Sequence, residues 1–170
     1  MAVKLALSTK GIVPIVVAVT IVEALILNPI RFHQTAQADG HTMSVPVFWE
    51  PVKNPGSAVA VAYQHEWSRL VGQASVAITD RGADSAAPWT ADEARKQLAF
   101  LGVLQSRNKD YTDPRFFDLS GNKFSSVCQE TTVKGNEAML CFVVGTPLQF
   151  SYLGSKTYEP AARKMLASLN

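Results

Sequence analysis

Apolar residues are unevenly spread along this chain. From Gly11 to Leu27 the sequence runs GIVPIVVAVTIVEALIL, with Glu23 as its one charge. Asn28, Pro29 and Ile30 extend the run to the ~20 residues a helix needs to cross ~30 Å of hydrocarbon. After Ile30 the pattern breaks. Arg31 to Ser57 is rich in Gln, Thr, Asp and Gly, and then in Pro46, Pro51 and Pro55. Such a stretch predicts an extended tether. Within it Val45-Pro46-Val47-Phe48-Trp49 is apolar for a linker. It reads as a first edge strand or as a segment laid on a membrane surface, where Phe48 and Trp49 could serve as interfacial aromatics; covering the domain's own core is the favoured role for the pair.

From Ala58 onward the periodicity is that of a folded domain. Ala58–Gln64 and Gln73–Thr79 alternate as strands, joined around Ser68–Gly72. Arg81–Trp89 is a loop by composition. Thr90 and Glu93 form a capping box, and Ala94, Leu98, Leu101 and Leu104 make one apolar helical face ending before Arg107. Phe116–Leu119, Lys123–Val133, Asn136–Val144 and Pro147–Leu153 read as strands. Tyr158–Leu169 reads as a closing helix, with Pro160 in its first turn and Ala162, Met165, Leu166 and Leu169 as its stripe. The predicted class is α+β: one N-terminal transmembrane helix, then an antiparallel sheet covered by two helices. The domains are a cytoplasmic tip and span at 1–30, a tether at 31–57 and a periplasmic domain at 58–170.

Lys4 and Lys10 precede the apolar run and no acidic residue does, which puts the N-terminus in the cytoplasm and 31–170 across the membrane. A cleaved signal peptide is the competing reading, since Ala36-Gln37-Ala38 offers an A-x-A site before Asp39. The distance from Leu27 to that site, and Arg31 and His33 within it, weigh against cleavage. Glu23 is costly inside lipid. It either snorkels or sits protonated, or it faces a partner's transmembrane helix.

Composition narrows the chemistry. The 170 residues are 47% hydrophobic and 18% charged, which excludes wholesale disorder. A net charge of +2 gives no case for nucleic acid. A two-residue turn at Lys134-Gly135 pairs Cys128 directly with Cys141, at a position without hydrogen bonds where side chains come closest. In an oxidising compartment that pair closes as a structural disulfide. The C-x-x-C spacing of a redox pair is absent, and the histidines are scattered, so neither redox nor metal chemistry is expected. His65 beside Glu66 would point to opposite strand faces. Asp110, Asp113 and Asp118 lack the glycine and glutamate of a calcium loop. The chain has no hydrolase elbow, zinc-protease, P-loop or dinucleotide motif. No catalytic or cofactor residue is therefore expected. Arg107, Lys109, Tyr111 and Arg115 lie in a mixed-charge loop of the kind that docks partners.

The long hairpin Lys123–Val144, the strand Phe150-Ser151-Tyr152 running into Leu153-Gly154, and the closing helix ending Met165-Leu166-Ala167-Ser168-Leu169 resemble the α/β/α domains of the PsbP-like (photosystem II extrinsic protein) family and bacterial lipoproteins of that shape. The family's functional residues find no match here, and a membrane helix departs from its soluble members. The resemblance implies a non-enzymatic accessory domain docked on a membrane complex, photosynthetic or respiratory. Its partners would be other membrane subunits and the lipid bilayer. An anchored periplasmic domain binding a small ligand or peptide is the alternative.

Overall fold

The structure, a computed structural model, describes residues 33–56, 59–65, 73–81 and 87–170. The apolar run, Glu23 within it and the Ser68–Gly72 turn lie outside these residues. Among the described residues no helix is long and apolar enough to cross a membrane. In chain order the elements are β1 (His33–Ala38), β2 (His41–Pro46), β3 (Glu50–Pro51), β4 (Val59–His65) and β5 (Ala74–Asp80), then helix α1 (Ala91–Ser106). There follow β6 (Arg115–Ser120), β7 (Ser125–Val133), β8 (Asn136–Val143), β9 (Leu148–Gly154), a 3-10 turn at Lys156–Tyr158 and helix α2 (Glu159–Ala167).

Strands β3 to β9 form one antiparallel sheet in the order β3-β4-β5-β9-β8-β7-β6. The α+β class is as expected, and the strand boundaries differ by a residue or two from those the periodicity predicts. The alternation of β8 sorts the two faces. Met139, Cys141 and Val143 join the main core, whereas Leu140 and Phe142 pack with α1. Phe150 and Tyr152 of β9 and Val76 and Ile78 of β5 complete the main face, which α2 covers through Ala161, Ala162, Met165 and Leu166.

The tether expected at 31–57 is the main correction. β1 and β2 pair as a hairpin in the register Ala38↔His41 to His33↔Pro46, around Asp39-Gly40. Both turn residues have positive φ, 47° and 74°. This is the requirement of a type I′ turn, which Asp-Gly meets at little cost. Ala36, Ala38, Met43, Val45 and Trp49 are buried in the main core beside α2. The hairpin is also tied to the C-terminus. Thr42 and Asn170 exchange two backbone hydrogen bonds of 3.0 and 2.9 Å, and the Ser44 N–H donates to Ser168 Oγ at 2.9 Å. The folded domain therefore includes described residues before position 58, among them Ala36 to Trp49.

Lys134-Gly135 is a two-residue turn, again with both φ positive, at 51° and 82°. Lys134 is held there by Asp110, whose carbonyl accepts its N–H at 3.0 Å and whose carboxylate pairs with its ammonium at 3.5 Å. The register that follows sets Cys128 opposite Cys141, and their sulfurs are bonded with Cα atoms 4.1 Å apart. Closing a loop with a sequence separation of 13 contributes about 3 kcal/mol in the chain-entropy account.

His65 ends β4 with 2% exposure, stacked 4.4 Å from Tyr158 and edge-on to Trp49. Burial pushes its pKa below the ordinary 6.5. The buried imidazole is neutral, so the unfolded chain takes up the proton first as pH falls. Its contribution is present above pH 6.5 and is lost as pH drops towards the folded pKa. Unfolding free energy of the native chain should thus fall as pH drops below 6.5 more steeply than that of His65→Gln. Parallel pH profiles would exclude this.

Candidate interaction surface

Helix α1 begins at a reciprocal cap: the Glu93 N–H donates to Thr90 Oγ1 and the Thr90 N–H to Glu93 Oε2, both at 3.2 Å. The apolar face expected from Ala94, Leu98, Leu101 and Leu104 is corrected at its C-terminal end. The buried ridge is Ala94, Leu98 and Gly102, spaced by four, while Leu104 is 47% exposed. Gly102 takes the inner position because the Pro114 and Phe116 rings lie 3.2 Å from where a Cβ would stand. Without a side chain there the helix end sits close on those rings, and Leu104, about 200° round the helix from Gly102, faces outward. The seat beneath α1 is Trp89, Val127 and Phe142, with the Arg81 guanidinium 3.8 Å from the Trp89 ring centre.

With Ala94, Leu98 and Gly102 inward, Phe100, Val103 and Leu104 are on the solvent side, 59%, 53% and 47% exposed. Their three- and four-residue spacing puts them on one stripe. Phe116 of β6, also exposed, continues it past Gly102. A cleft of about 360 Å³ between α1 and β6 is lined by Arg95, Ala99, Phe116, Phe117, Asp118 and Val127. Beyond α1 the same sheet face lies open over β4, β5 and β9, where Ala62, Ser75, Ala77, Gln149 and Ser151 are half-buried or exposed and Leu153 is 48% exposed. Exposed apolar side chains that no element covers among the described residues mark an interaction surface.

The sequence singled out the neighbourhood of this stripe and missed the stripe itself. Arg107 and Lys109 are exposed just beyond α1, and Tyr111 is half-buried, bridging Val133. Arg115 is at the start of β6, where it donates to Glu130 at 2.8 Å. Phe48 is 38% exposed. Trp49 is 1% exposed and in the main core, the favoured of its two roles, so its alternative role as an interface residue is corrected. Asp110 pairs with Lys134, and Asp118, in β6, with Arg95, at 3.5 and 3.0 Å, so these two aspartates turn to separate cations. The signal that could have found the stripe is Phe100-Val103-Leu104 itself, which is more apolar surface than the Ala94-Leu98 ridge needs.

A second concavity, about 440 Å³, opens at the ends of β4, β5 and β9. It is lined by Gln64, His65, Gln73, Ser75, Asn136 and Gly154, among others.

No protein-family model and no curated protein matches the chain. Among solved structures, the solution structure of cyanobacterial PsbP (CyanoP) from Synechocystis sp. PCC 6803 matches with a TM-score of 0.50 and 15% identity. The match covers 83% of this chain and 93% of the other. The fold is PsbP-like. The match extends well beyond the C-terminal half that carries the sequence resemblance, since it covers 83% of the chain.

Proposed function

We propose that this protein is a non-enzymatic accessory subunit of a larger membrane complex. The span at 11–30 anchors it, the N-terminus is cytoplasmic, and the PsbP-like domain docks on the complex from the periplasmic side. The exposed stripe Phe100-Val103-Leu104 with Phe116 carries the docking part of this reading. The PsbP-like fold makes a photosystem-associated host the favoured class, with a respiratory complex as the other candidate. Retention of the anchor has support in the hairpin. Cleavage after Ala38 would cut at the β1–β2 turn and strip Ala36 and Ala38 from the core. A structural disulfide suits the oxidising side of the membrane.

Gentle detergent extraction followed by native mass analysis tests the proposal. The native chain should travel in a larger assembly. Phe100→Asp with Val103→Asp should release it while the folded domain persists, because both side chains are exposed. Two central apolar anchors at about 2 kcal/mol each weaken docking by roughly 10²–10³-fold. A native chain that migrates as a lone monomer would instead favour an anchored binding domain for a small ligand or peptide. That second reading draws on the 440 Å³ cleft, a size typical of ligand sites, where His65 Nδ1 is buried without a partner.

A further inference from the structure

The registers bring several separate segments to one end of the sheet. His33, where the described chain begins, pairs with Pro46, so the chain enters beside the Val47–Phe48 turn. Gln34 Nε2 donates to the Trp49 carbonyl, and Glu50 pairs with Gln64, next to the last residue of β4. From there the strand ends run on in line: His65↔Ala74, Ala74↔Gly154 and Gly154↔Glu137. The β7–β8 turn at Lys134-Gly135 follows, with Asp110 bonded to Lys134 and Tyr111 bridging Val133. Chain entry, the Val47–Phe48 turn and the loop Arg107–Tyr111 therefore share an end. The opposite end carries the Asp39-Gly40 turn and the Ser120–Ser125 turn, where His41 meets Phe124.

We propose that the end bearing Val47 and Phe48 rests in the headgroup layer of the bilayer, with those two side chains dipping towards the acyl boundary. This rests on the reading that residues 11–30 span the membrane. Between Ile30 and His33 there are three residue steps, at most about 10 Å of extended chain. A leaflet's polar layer is about 5–8 Å deep. A folded end on so short a leash is held at that layer, whatever else the domain touches. Val47 and Phe48, 47% and 38% exposed, form the apolar part of this end nearest the chain entry. Apolar and aromatic side chains flanking a span partition there. The exposed Arg107 and Lys109 belong to the same end and bring cations to phosphate groups, while Lys134 there is paired with Asp110. The domain then stands on this end, and the α1 stripe faces sideways, parallel to the membrane, towards neighbouring subunits.

Photolabelling of the full chain in phosphatidylethanolamine–phosphatidylglycerol nanodiscs tests this, with peptides mapped by mass spectrometry. One lipid carries a diazirine deep in its acyl chain and a second carries it at the headgroup. The deep probe should label 11–30. The headgroup probe should label 46–49 and 107–111 several-fold more than 120–125, and Val47→Asp with Phe48→Asp should remove most of the label at 46–49. Deep labelling of 11–30 with even headgroup labelling, or with preference for 120–125, overturns the orientation and leaves the anchor standing. Absence of deep labelling overturns the anchor. Preferred headgroup labelling at 46–49 would then support a surface contact without a span, and its absence as well would remove both. No partner protein is present in the nanodisc, so a contact at 46–49 found only in the co-purified complex counts against the lipid.

Discussion

Trp49→Ala is expected to lower the unfolding free energy by about 3–5 kcal/mol, the range for deleting a fully buried large aromatic. Trp49 is 1% exposed and has edge-to-face contacts with His65 at 5.7 Å and Tyr158 at 6.3 Å between ring centres. It therefore joins the segment after the hairpin to β4 and to the turn before α2. Deletion leaves a cavity that a β-strand end and a helix entry cannot collapse to fill. Since domains of this size hold only about 5–15 kcal/mol in total, the variant sits near the edge of folding. Trp49→Phe keeps most of the contact area and should cost markedly less. Urea unfolding followed by far-ultraviolet circular dichroism reads both, with an unchanged slope marking a loss of stability at constant compactness. Were Trp49 part of a solvated tether, the change would fall within about 0.5 kcal/mol.

The distance between those two outcomes shows where the sequence was opaque. Residues 33–46 carry few large apolar side chains, and their inward positions include two alanines, Ala36 and Ala38. Composition therefore reads as linker. The local signal present was Asp39-Gly40, the strongest short hairpin dipeptide, flanked by weak alternation. Three prolines nearby outweighed it, although Pro46 closes a strand and Pro51 sits on the two-residue edge strand β3, both places that tolerate a missing N–H.

Other parts were legible for definite reasons. The β7–β8 register followed from a two-residue turn, because a hairpin of that length admits one pairing and the disulfide comes with it. The start of α1 followed from the Thr90–Glu93 cap, whose bonds are local. Its inner face did not, since the choice of Gly102 as an inward position depends on Pro114 and Phe116, twelve and fourteen residues further along the chain, closing on a glycine. The candidate surface was for that reason located only at its charged margin, Arg107 to Arg115. Contacts distant in sequence decide which apolar residues are spare, and spare apolar residues make the surface.

A distant contact also governs the second large effect. Glu130→Ala is expected to cost about 3 kcal/mol, the low end for removing one partner of a buried ion pair. The Glu130 side chain is 10% exposed and accepts from Arg115 at 2.8 Å and from Arg163 of α2 at 2.7 Å. Arg163 is 28% exposed, also bonds to Glu159, and lies with its guanidinium 4.1 Å from the centre of the Phe117 ring. Removing the carboxylate strands a cation pinned between a helix and the sheet. The remaining bond to Glu159 and the partial exposure keep the loss from the top of the range. Arg115→Ala takes away the other donor, but its side chain is 77% exposed, so about 1 kcal/mol or less is expected. Glu130 and Arg163 should be strongly coupled in a double-mutant cycle, whereas Glu130 and Arg115 should be nearly additive. Equal losses for Arg115→Ala and Arg163→Ala would mean that the helix contact is no more important than the strand pair, and that α2 is held by its apolar stripe alone.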